Sequence, residues 1–566
     1  MDEPTLHVPE HPVRLVTAAS LFDGHDAAIN IMRRLLQSQG AEVVHLGHDR
    51  SVDDVVTAAV QEDAQGVAVS SYQGGHVEYF GYLVERLAAA GAGHVKVFGG
   101  GGGVIVPDEI EALARIGVRI FSPEDGQRLG LPAMVNELVR ACDVDLAGSP
   151  VDVDALRAGD PSALARAITV LEAGRDPELA AALRDAAQAH RAPVLGITGT
   201  GGSGKSSLTD ELVRRLRRDS QDKLRVAVLA VDPTRRRGGG ALLGDRIRMN
   251  SIDPDVVFFR SLATREAGAV VPTALDDVVA ASRAAGFDLV IVETPGIGQG
   301  DAAITGHADV SLYVMTPEYG AASQLEKIDM LDFADVVAVN KYERRGAEDA
   351  RRDVARQLVR NREAFGTAWE DMPVFGTSAA RFDDDGVTAL YQHLRGLLGE
   401  RGLTPFEPTL APVTTKVSTG LASVLPRGRE RYLAEIAETV RSYHARTEQQ
   451  AVAARRRQQA SATVDLLAAT GRTEGLAEVE RLVAELDGAL DDSTRHLLAE
   501  WPGIRATYQG DERLYVVRGT EHRTQLTRET LSGTHVPRVA LPRDDDHGEL
   551  VRFLRRENLP GYFPFT

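Results

Sequence analysis

The sequence predicts an α/β protein: two domains built on parallel sheets, followed by a mainly helical region. Two observations carry that expectation. Short apolar runs alternate with helix-like segments from Val13 to about residue 405, and several of those runs end in glycine-rich or acidic turns, the rhythm of βαβ units. From residue 406 onward the pattern gives way to long Arg-, Glu- and Gln-rich stretches with helical spacing.

One stretch anchors the rest, Gly199-Thr200-Gly201-Gly202-Ser203-Gly204-Lys205-Ser206, with an apolar run before it and a helix-like segment from Ser207 after it. Strand, glycine loop and helix form the context in which G-x-x-x-x-G-K-[ST] means a phosphate cradle. Glycines let backbone N–H groups turn inward, and the helix N-terminus favours negative charge. Lys205 reaches the outer phosphates and Ser206 offers a hydroxyl to Mg²⁺.

Composition narrows the remaining classes. A chain of 566 residues has room for several domains, and 43% hydrophobic with 26% charged residues is ordinary for globular protein. A formal charge of −18 argues against nucleic acid as a partner. The single cysteine, Cys142, excludes a disulfide framework and suits a reducing cytosol. No stretch approaches the roughly 20 apolar residues that span a bilayer, and residues 1–12 have no signal-peptide core. The expectation is a cytoplasmic chain with neither membrane nor nucleic-acid contacts.

Residues 1–147 read as a first domain, with strands at 13–18, 43–47, 66–70 and 95–99 and helices at 27–39 and 52–62. Ligands of such a sheet bind at the strand C-terminal ends. Three loops fall there: Asp23-Gly24-His25, Ser70-Ser71-Tyr72 and the run from Gly99 to Gly103. A His two residues after an Asp suits a metal ligand oriented by a carboxylate, and on spacing alone a structural His25 is equally open. The glycine run permits close approach of a large planar or nucleotide-like ligand. His45 and His48 read as surface residues. Residues 148–192 read as a helical connector.

Residues 193–405 read as the nucleotide domain. A strand at 226–231 ends in Asp232, placed to hold Mg²⁺ directly or through water. The basic, glycine-rich stretch Arg235 to Gly240, with Leu243-Gly244-Asp245-Arg246-Ile247-Arg248-Met249 after it, has the composition of a switch segment; a solvated charge cluster is the alternative. A strand at 287–292 ends in Glu293-Thr294-Pro295-Gly296, an acid and glycine spaced to sense Mg²⁺ and a γ-phosphate. Asn340-Lys341-Tyr342-Glu343 is similar to the guanine-reading N-K-x-D motif with Glu in place of Asp, which leaves strict GTP preference open. Thr377-Ser378-Ala379 resembles the loop that closes over the base. The nucleotide contacts expected are therefore Gly199, Gly202, Ser203, Gly204, Lys205, Ser206, Ser207, Asn340, Lys341, Glu343, Ser378 and Ala379. No G-x-G-x-x-G opens a suitable βαβ unit, which excludes dehydrogenase chemistry.

Within residues 406–566, segments 429–460 and 476–498 read as solvated helices, and Arg455-Arg456-Arg457 as an exposed helix face.

The first domain is similar to the flavodoxin-like cobalamin-binding domain of methylmalonyl-CoA mutase-type enzymes, with its D-x-H-x-x-G, S-x-L and G-G motifs. That resemblance implies His25 as lower axial cobalt ligand, Asp23 bonded to it, and Ser70, Tyr72, Gly102 and Gly103 along the slot for the cofactor's nucleotide tail. Ala28 stands where the motif has Gly and Tyr72 where it has Leu, both narrowing the slot. The nucleotide domain resembles mutase-associated G-protein chaperones. By that resemblance Ser206, Asp232, Asp245, Glu293 and Thr294 surround Mg²⁺, Arg248 touches nucleotide, Gln299 orients water, and Lys205, Asp245 and Glu293 serve the P-loop GTPase reaction. The closing string Glu557-Asn558-Leu559-Pro560-Gly561-Tyr562-Phe563-Pro564-Phe565-Thr566 resembles the entry segment of an acyl-CoA mutase barrel.

In this order the parts are similar to the fused isobutyryl-CoA mutase family along the whole chain, without that family's substrate-binding barrel. The resemblance implies adenosylcobalamin, GTP/GDP and Mg²⁺ as cofactors. It also implies the radical rearrangement between isobutyryl-CoA and n-butyryl-CoA, a GTPase gating cofactor loading, and a homodimer. The barrel comes from a separate chain or from a missing part of this one. A non-catalytic GTPase chaperone delivering cobalamin to a separate methylmalonyl-CoA-type mutase is the alternative. A nickel metallochaperone would want a Cys/His-rich tract, which one cysteine does not supply.

Overall fold

Two parallel sheets carry the part of the molecule that matters for ligands. The first is built from β1 (Arg14–Ser20), β2 (Glu42–Arg50), β3 (Gly66–Ser70), β4 (Lys96–Gly100) and β5 (Val118–Phe121), in the order β5-β4-β3-β1-β2. Its central strands are apolar on both faces because helices cover both: β1 and β3 are buried along their whole length. Helices Ala27–Ser38 and Val52–Gln61 follow β1 and β2 close to where sequence periodicity places them. Ser51 starts the second of these by accepting the Asp54 N–H at 3.1 Å, while Asp54 accepts the Ser51 N–H in return. The strand order reverses between β1 and β3, so the loops after these two strands face each other across a switch point.

The computed structural model describes residues 6–25, 27–234, 240–265, 269–296, 301–319, 325, 328–420, 432–517, 520–529, 534–543 and 545–556. Gln299, the stretch 235–239 and the closing string 557–566 lie outside the described residues. The chain divides into two units, Met1–Val424 and Leu425–Thr566.

The second sheet comprises β6 (Val194–Gly199), β7 (Val226–Asp232), β9 (Val257–Ala263), β10 (Leu289–Glu293), β11 (Val310–Met315), β12 (Val336–Asn340) and β13 (Val374–Thr377), ordered β13-β12-β11-β6-β10-β7-β9 and parallel throughout. The connector is helical as expected, over Val153–Arg157, Pro161–Ala173 and Pro177–Ala187. It is part of this domain's core, since Leu164 and Ile168 pack in one cluster with Phe258 and Leu262. The chain just after this domain packs back on it: Asp219 accepts the Thr409 and Leu410 N–H groups, and Val417 makes an isolated bridge to Gly376.

The strand between β7 and β9, β8 (Ala241–Leu243), belongs elsewhere. It pairs in parallel with β2, in the register Glu42↔Ala241, Val43↔Leu242 and Val44↔Leu243, as the sixth strand of the first sheet. The two α/β domains thus share a sheet, which the sequence reading did not foresee. His45 is corrected too. It pairs with Thr17 of β1 and is buried with Nδ1 3.0 Å from Thr17 Oγ1, whereas His48 is exposed.

Buried charges line the same junction. Arg14 donates to Glu42 at 2.7 Å, Arg265 donates to Glu42 at 2.8 Å, and Arg260 donates to Glu172 at 2.9 Å. Burial opposes the Glu42 charge, but Arg265 and Arg14 overcome it and hold the carboxyl well below the usual range. Removing one member of a buried pair strands the other. Glu42→Ala is expected to lower the stability of the first unit by about 3–5 kcal/mol, read from a urea midpoint. Because the folded-state value is depressed, the stabilisation from Glu42 is present above its ordinary value of 4.5 and lost as pH falls below it. The gap between wild type and Glu42→Ala should therefore close in acid.

The second unit contains helices Tyr432–Ala469, Leu476–Gly488, Asp492–Tyr508 and His547–Leu554. Trp501, Ile504, Tyr508, Leu550 and Leu554 form its main core. Two antiparallel pairs, Glu512–Val517 with Thr520–Gln525 and Thr527–Glu529 with His535–Pro537, were not foreseen in a region read as helical. The arginine run needs a correction too. Arg456 is exposed, but Arg455 bonds Asp546 at 2.8 Å and Arg457 pairs with Asp487 at 2.6 Å, tying the long helix to its neighbours.

Candidate functional site

Two sites stand at the strand C-terminal ends, one on each sheet. In the first, Asp23 ties together the loops after β1 and β3. Its buried side chain accepts the His25 N–H at 2.9 Å, lies 2.8 Å from His25 Nδ1, and accepts the Tyr72 N–H at 2.7 Å. Burial raises its carboxyl, but these N–H groups outweigh that and hold it below the usual range. With Nδ1 held by Asp23, Nε2 is the nitrogen His25 presents outward, from a side chain 67% exposed.

The Tyr72 ring lies 5.5 Å from the His25 ring, at the mouth of a cavity of about 320 Å³. Ala28, Ser70, Gly99, Gly102, Phe121 and Leu138 are among the residues lining it. Gly103 follows in the same turn without lining the cavity. One feature fits a partly polar ligand: Ser70 Oγ is buried with no hydrogen-bond partner. Gly101 is required for a different reason, since an added Cβ would lie 1.9 Å from the Ser71 carbonyl oxygen. The outward-facing imidazole nitrogen and the cavity beside it fit a cobalamin.

The second site is the loop between β6 and the helix Lys205–Ser220. Gly199 has φ +146°, and a Cβ there would lie 1.9 Å from Val314 O, so only glycine fits. Lys205 Nζ donates to Gly199 O at 3.0 Å and Thr200 O at 3.2 Å. Thr200 Oγ1 and Ser203 Oγ of this loop are buried without hydrogen-bond partners. Ser207 continues the first helical turn.

Ser206 Oγ lies 2.9 Å from Asp245 Oδ1 and 2.8 Å from Glu293 Oε1, and Arg248 donates to Asp245 at 2.6 Å. Asp232 accepts the Gly244 N–H at 3.1 Å. Burial first and Asp245 second raise Glu293 to about 7 and Asp232 well above its usual range. Such crowding of carboxylates is relieved by a cation. Among the described residues no three acidic or imidazole side chains form a complete metal cage. Mg²⁺ keeps several waters and takes phosphate oxygens alongside one or two protein ligands. Thr294 departs from expectation: its hydroxyl donates to Thr198 Oγ1 at 2.8 Å and stays outside the Ser206–carboxylate cluster. Thr209, absent from the sequence reading, donates to Glu293 Oε2 at 2.8 Å; its one-turn spacing from Lys205 was the available signal.

The segments Asn340–Glu343 and Ser378–Ala379 converge on the same loop. Asn340 Nδ2 donates to Ser203 O at 2.7 Å, and its Oδ1 accepts from Ala379 N at 3.1 Å. Lys341, with φ +59°, donates to Gly202 O at 2.7 Å. Ser378 Oγ donates to Glu343 at 2.8 Å, drawing the longer acid toward the closing loop.

Comparison with known proteins matches the same two regions. Residues 13–127 fit the B12 binding domain model, and residues 164–400 fit that of the methylmalonyl-CoA mutase-associated GTPase MeaB. All of the chain aligns, at 68% identity, with 52% of the fused isobutyryl-CoA mutase of Nocardia farcinica. Over its whole length the chain matches the N-terminal portion of the fused isobutyryl-CoA mutases.

A second fused isobutyryl-CoA mutase, from Cupriavidus metallidurans, is 59% identical over 99% of this chain and 51% of its own length. The chain thus spans about half the length of these family members. A putative GTPase of Pyrococcus horikoshii is 32% identical over 51% of this chain and 92% of its own. A B12-binding domain and a GTPase domain stand in one chain, and cobalamin and GTP are their ligands. Among the described residues no helix is long and apolar enough to cross a membrane.

Proposed function

We propose that this chain is the cofactor-loading portion of an acyl-CoA mutase that interconverts isobutyryl-CoA and n-butyryl-CoA. The observation that carries the proposal is the coexistence, in one unit, of the Asp23–His25 loop beside the Ser70 cavity and the Ser206–Asp245–Glu293 cluster beside the phosphate loop.

His25 Nε2 faces cobalt while Asp23 fixes the ring tautomer and orientation. Ser70, Tyr72 and the Gly102–Gly103 turn hold the nucleotide tail. Bound adenosylcobalamin supplies the radical chemistry of the rearrangement. Lys205 and the loop N–H groups hold the phosphates of GTP, and Ser206, Asp232, Asp245 and Glu293 hold Mg²⁺ directly or through water. Asn340, Lys341, Glu343, Ser378 and Ala379 hold the base, and Arg248 touches the nucleotide. We assign residues 1–147 to the cobalamin domain, 148–192 to the connector, 193–405 to the GTPase and 406–566 to the linker leading into a mutase segment.

The acyl-CoA pocket belongs to a barrel, carried by a separate chain or by the rest of a longer one. GTP hydrolysis gates cofactor loading. The protein works as a cytoplasmic homodimer, supported by the family resemblance and by the single buried cysteine.

The test combines adenosylcobalamin, GTP, Mg²⁺ and isobutyryl-CoA with the chain, with and without an acyl-CoA mutase barrel protein. Cobalamin uptake and GTP hydrolysis by the chain alone, and n-butyryl-CoA formation with the barrel only, is the expected outcome. Uptake and hydrolysis with transfer of cobalamin to a separate methylmalonyl-CoA mutase, and no butyryl product, would make the chain a chaperone. Absence of both uptake and hydrolysis sinks the proposal.

A further inference from the structure

The segment that carries Asp245 is held from both sides by the cobalamin-binding domain. On its N-terminal side, β8 ends at Leu243, two residues before Asp245, and β8 is bonded to the edge of β2. Gly240 approaches that domain so closely that an added Cβ would lie 2.3 Å from Gln37 O and 2.7 Å from Ala41 O. On its C-terminal side, Arg246 turns inward and is 5% exposed. Its Nη2 donates to Gln61 Oε1 at 2.7 Å and its Nη1 to Phe259 O at 2.9 Å. Ile247 then packs against Gly47 of β2, where an added Cβ would meet its Cδ1 at 2.9 Å.

Gln61 is the last residue of the helix Val52–Gln61 and is 2% exposed. It makes three bonds across the junction: its Oε1 accepts from Arg246 and from Phe259 N at 3.3 Å, and its Nε2 donates to Val257 O at 3.0 Å. A buried amide with both ends satisfied by backbone and guanidinium has one arrangement available, so it fixes where Arg246 lies. The residue before Arg246 is Asp245, whose carboxylate is 2.9 Å from Ser206 Oγ.

We propose that Gln61, acting through Arg246, is a positioning residue for the GTPase metal centre: the cobalamin-binding domain sets the place of Asp245, and hence the affinity of the site for Mg²⁺. This rests on the reading above that Asp245 faces the cation. Groups that orient a metal-facing residue at one remove typically change metal affinity about 10–100-fold when removed. The energetic effect therefore falls on Mg²⁺ affinity, while phosphate-loop contacts made by Lys205 stay as they are.

The experiment uses the full chain and a fluorescent GDP, titrated with Mg²⁺ and also measured in EDTA, alongside Mg²⁺-dependent GTP turnover. Gln61→Leu, which keeps the size and removes the polar ends, is expected to raise the Mg²⁺ half-saturation about tenfold. Turnover at saturating Mg²⁺ and GDP affinity in EDTA stay within about twofold of wild type. Gln61→Glu, which keeps an acceptor for Arg246, recovers part of the loss. A folded Gln61→Leu chain with wild-type Mg²⁺ half-saturation overturns the proposal. Asp245→Asn is measured in parallel. If it too leaves Mg²⁺ dependence unchanged, the placement of Asp245 at the cation is what has failed. Should Gln61→Leu not fold, hydrogen exchange on the wild-type chain decides. Added protection of residues 241–248 with GDP and Mg²⁺ over GDP in EDTA supports the coupling, and equal protection overturns it.

Discussion

Lys205→Ala reduces GTP turnover by a factor of about 10²–10³, the cost of removing a charge aimed at the reacting phosphates. The Lys205 side chain is 8% exposed, and its ammonium already spans the Gly199 and Thr200 carbonyls across the mouth of the loop. A nucleotide phosphate entering there meets a cation that is held in place and shielded from bulk water, so little reorganisation accompanies binding. Alanine removes the charge and leaves the two carbonyl oxygens facing the anion. Phosphate release at saturating GTP gives the turnover, and fluorescent-nucleotide titration gives the affinity. Because the lysine opens the helix after β6, away from the Asp23–His25 loop of the first sheet, cobalamin uptake without nucleotide should stay at the wild-type level. Turnover within tenfold of wild type would remove Lys205 from the reaction.

His25→Ala should weaken cobalamin binding by about 10–100-fold and abolish the absorbance change that marks an imidazole on cobalt. The argument rests on the two ends of the ring. Nδ1 is held 2.8 Å from a carboxylate that is itself anchored by the Tyr72 and His25 backbone, so the direction of Nε2 is fixed before any ligand arrives. Asp23→Asn should show a smaller loss of affinity, because the amide keeps one acceptor while the loop after β3 loses part of its anchor. GTP turnover in both variants serves as the folding control. A His25→Ala chain with wild-type affinity and an unchanged spectrum would exclude it as the axial group.

Much of this was legible in the sequence because the residues that make each site are neighbours in the chain. The phosphate loop, the Asp23-Gly24-His25 turn and the Asn340-Lys341-Tyr342-Glu343 segment each carry their chemistry within a few positions. Strands β6, β7 and β12 were readable because apolar runs ended in those motifs. β9 was not read as a strand: Arg260 and Ser261 interrupt its apolar pattern, and the groups that satisfy them, Glu172 and Glu62, lie about 90 and 200 positions earlier. β8 has only three residues, and its partner is in another domain. His45 is buried beside Thr17 of β1, 28 positions earlier, a pairing its own neighbours in sequence do not announce. Thr294 carries the residue type expected of a metal-facing hydroxyl, but Thr198 on the adjacent strand captures it. Distance along the chain, more than weak local preference, set the limit.

The partnership of Glu42–Val44 with Ala241–Leu243 also bears on how the protein is made. During synthesis the first five strands emerge and can pair well before residue 241 leaves the ribosome. Until then the outer edge of β2 is an open row of N–H and C=O groups, able to recruit a strand from another chain. Closing it requires a loop of roughly 200 residues, a slow, non-local step. A nascent or truncated chain that stops at the connector keeps this edge exposed. Its tendency to self-associate, compared with that of the longer chain, would report when the sixth strand takes its place.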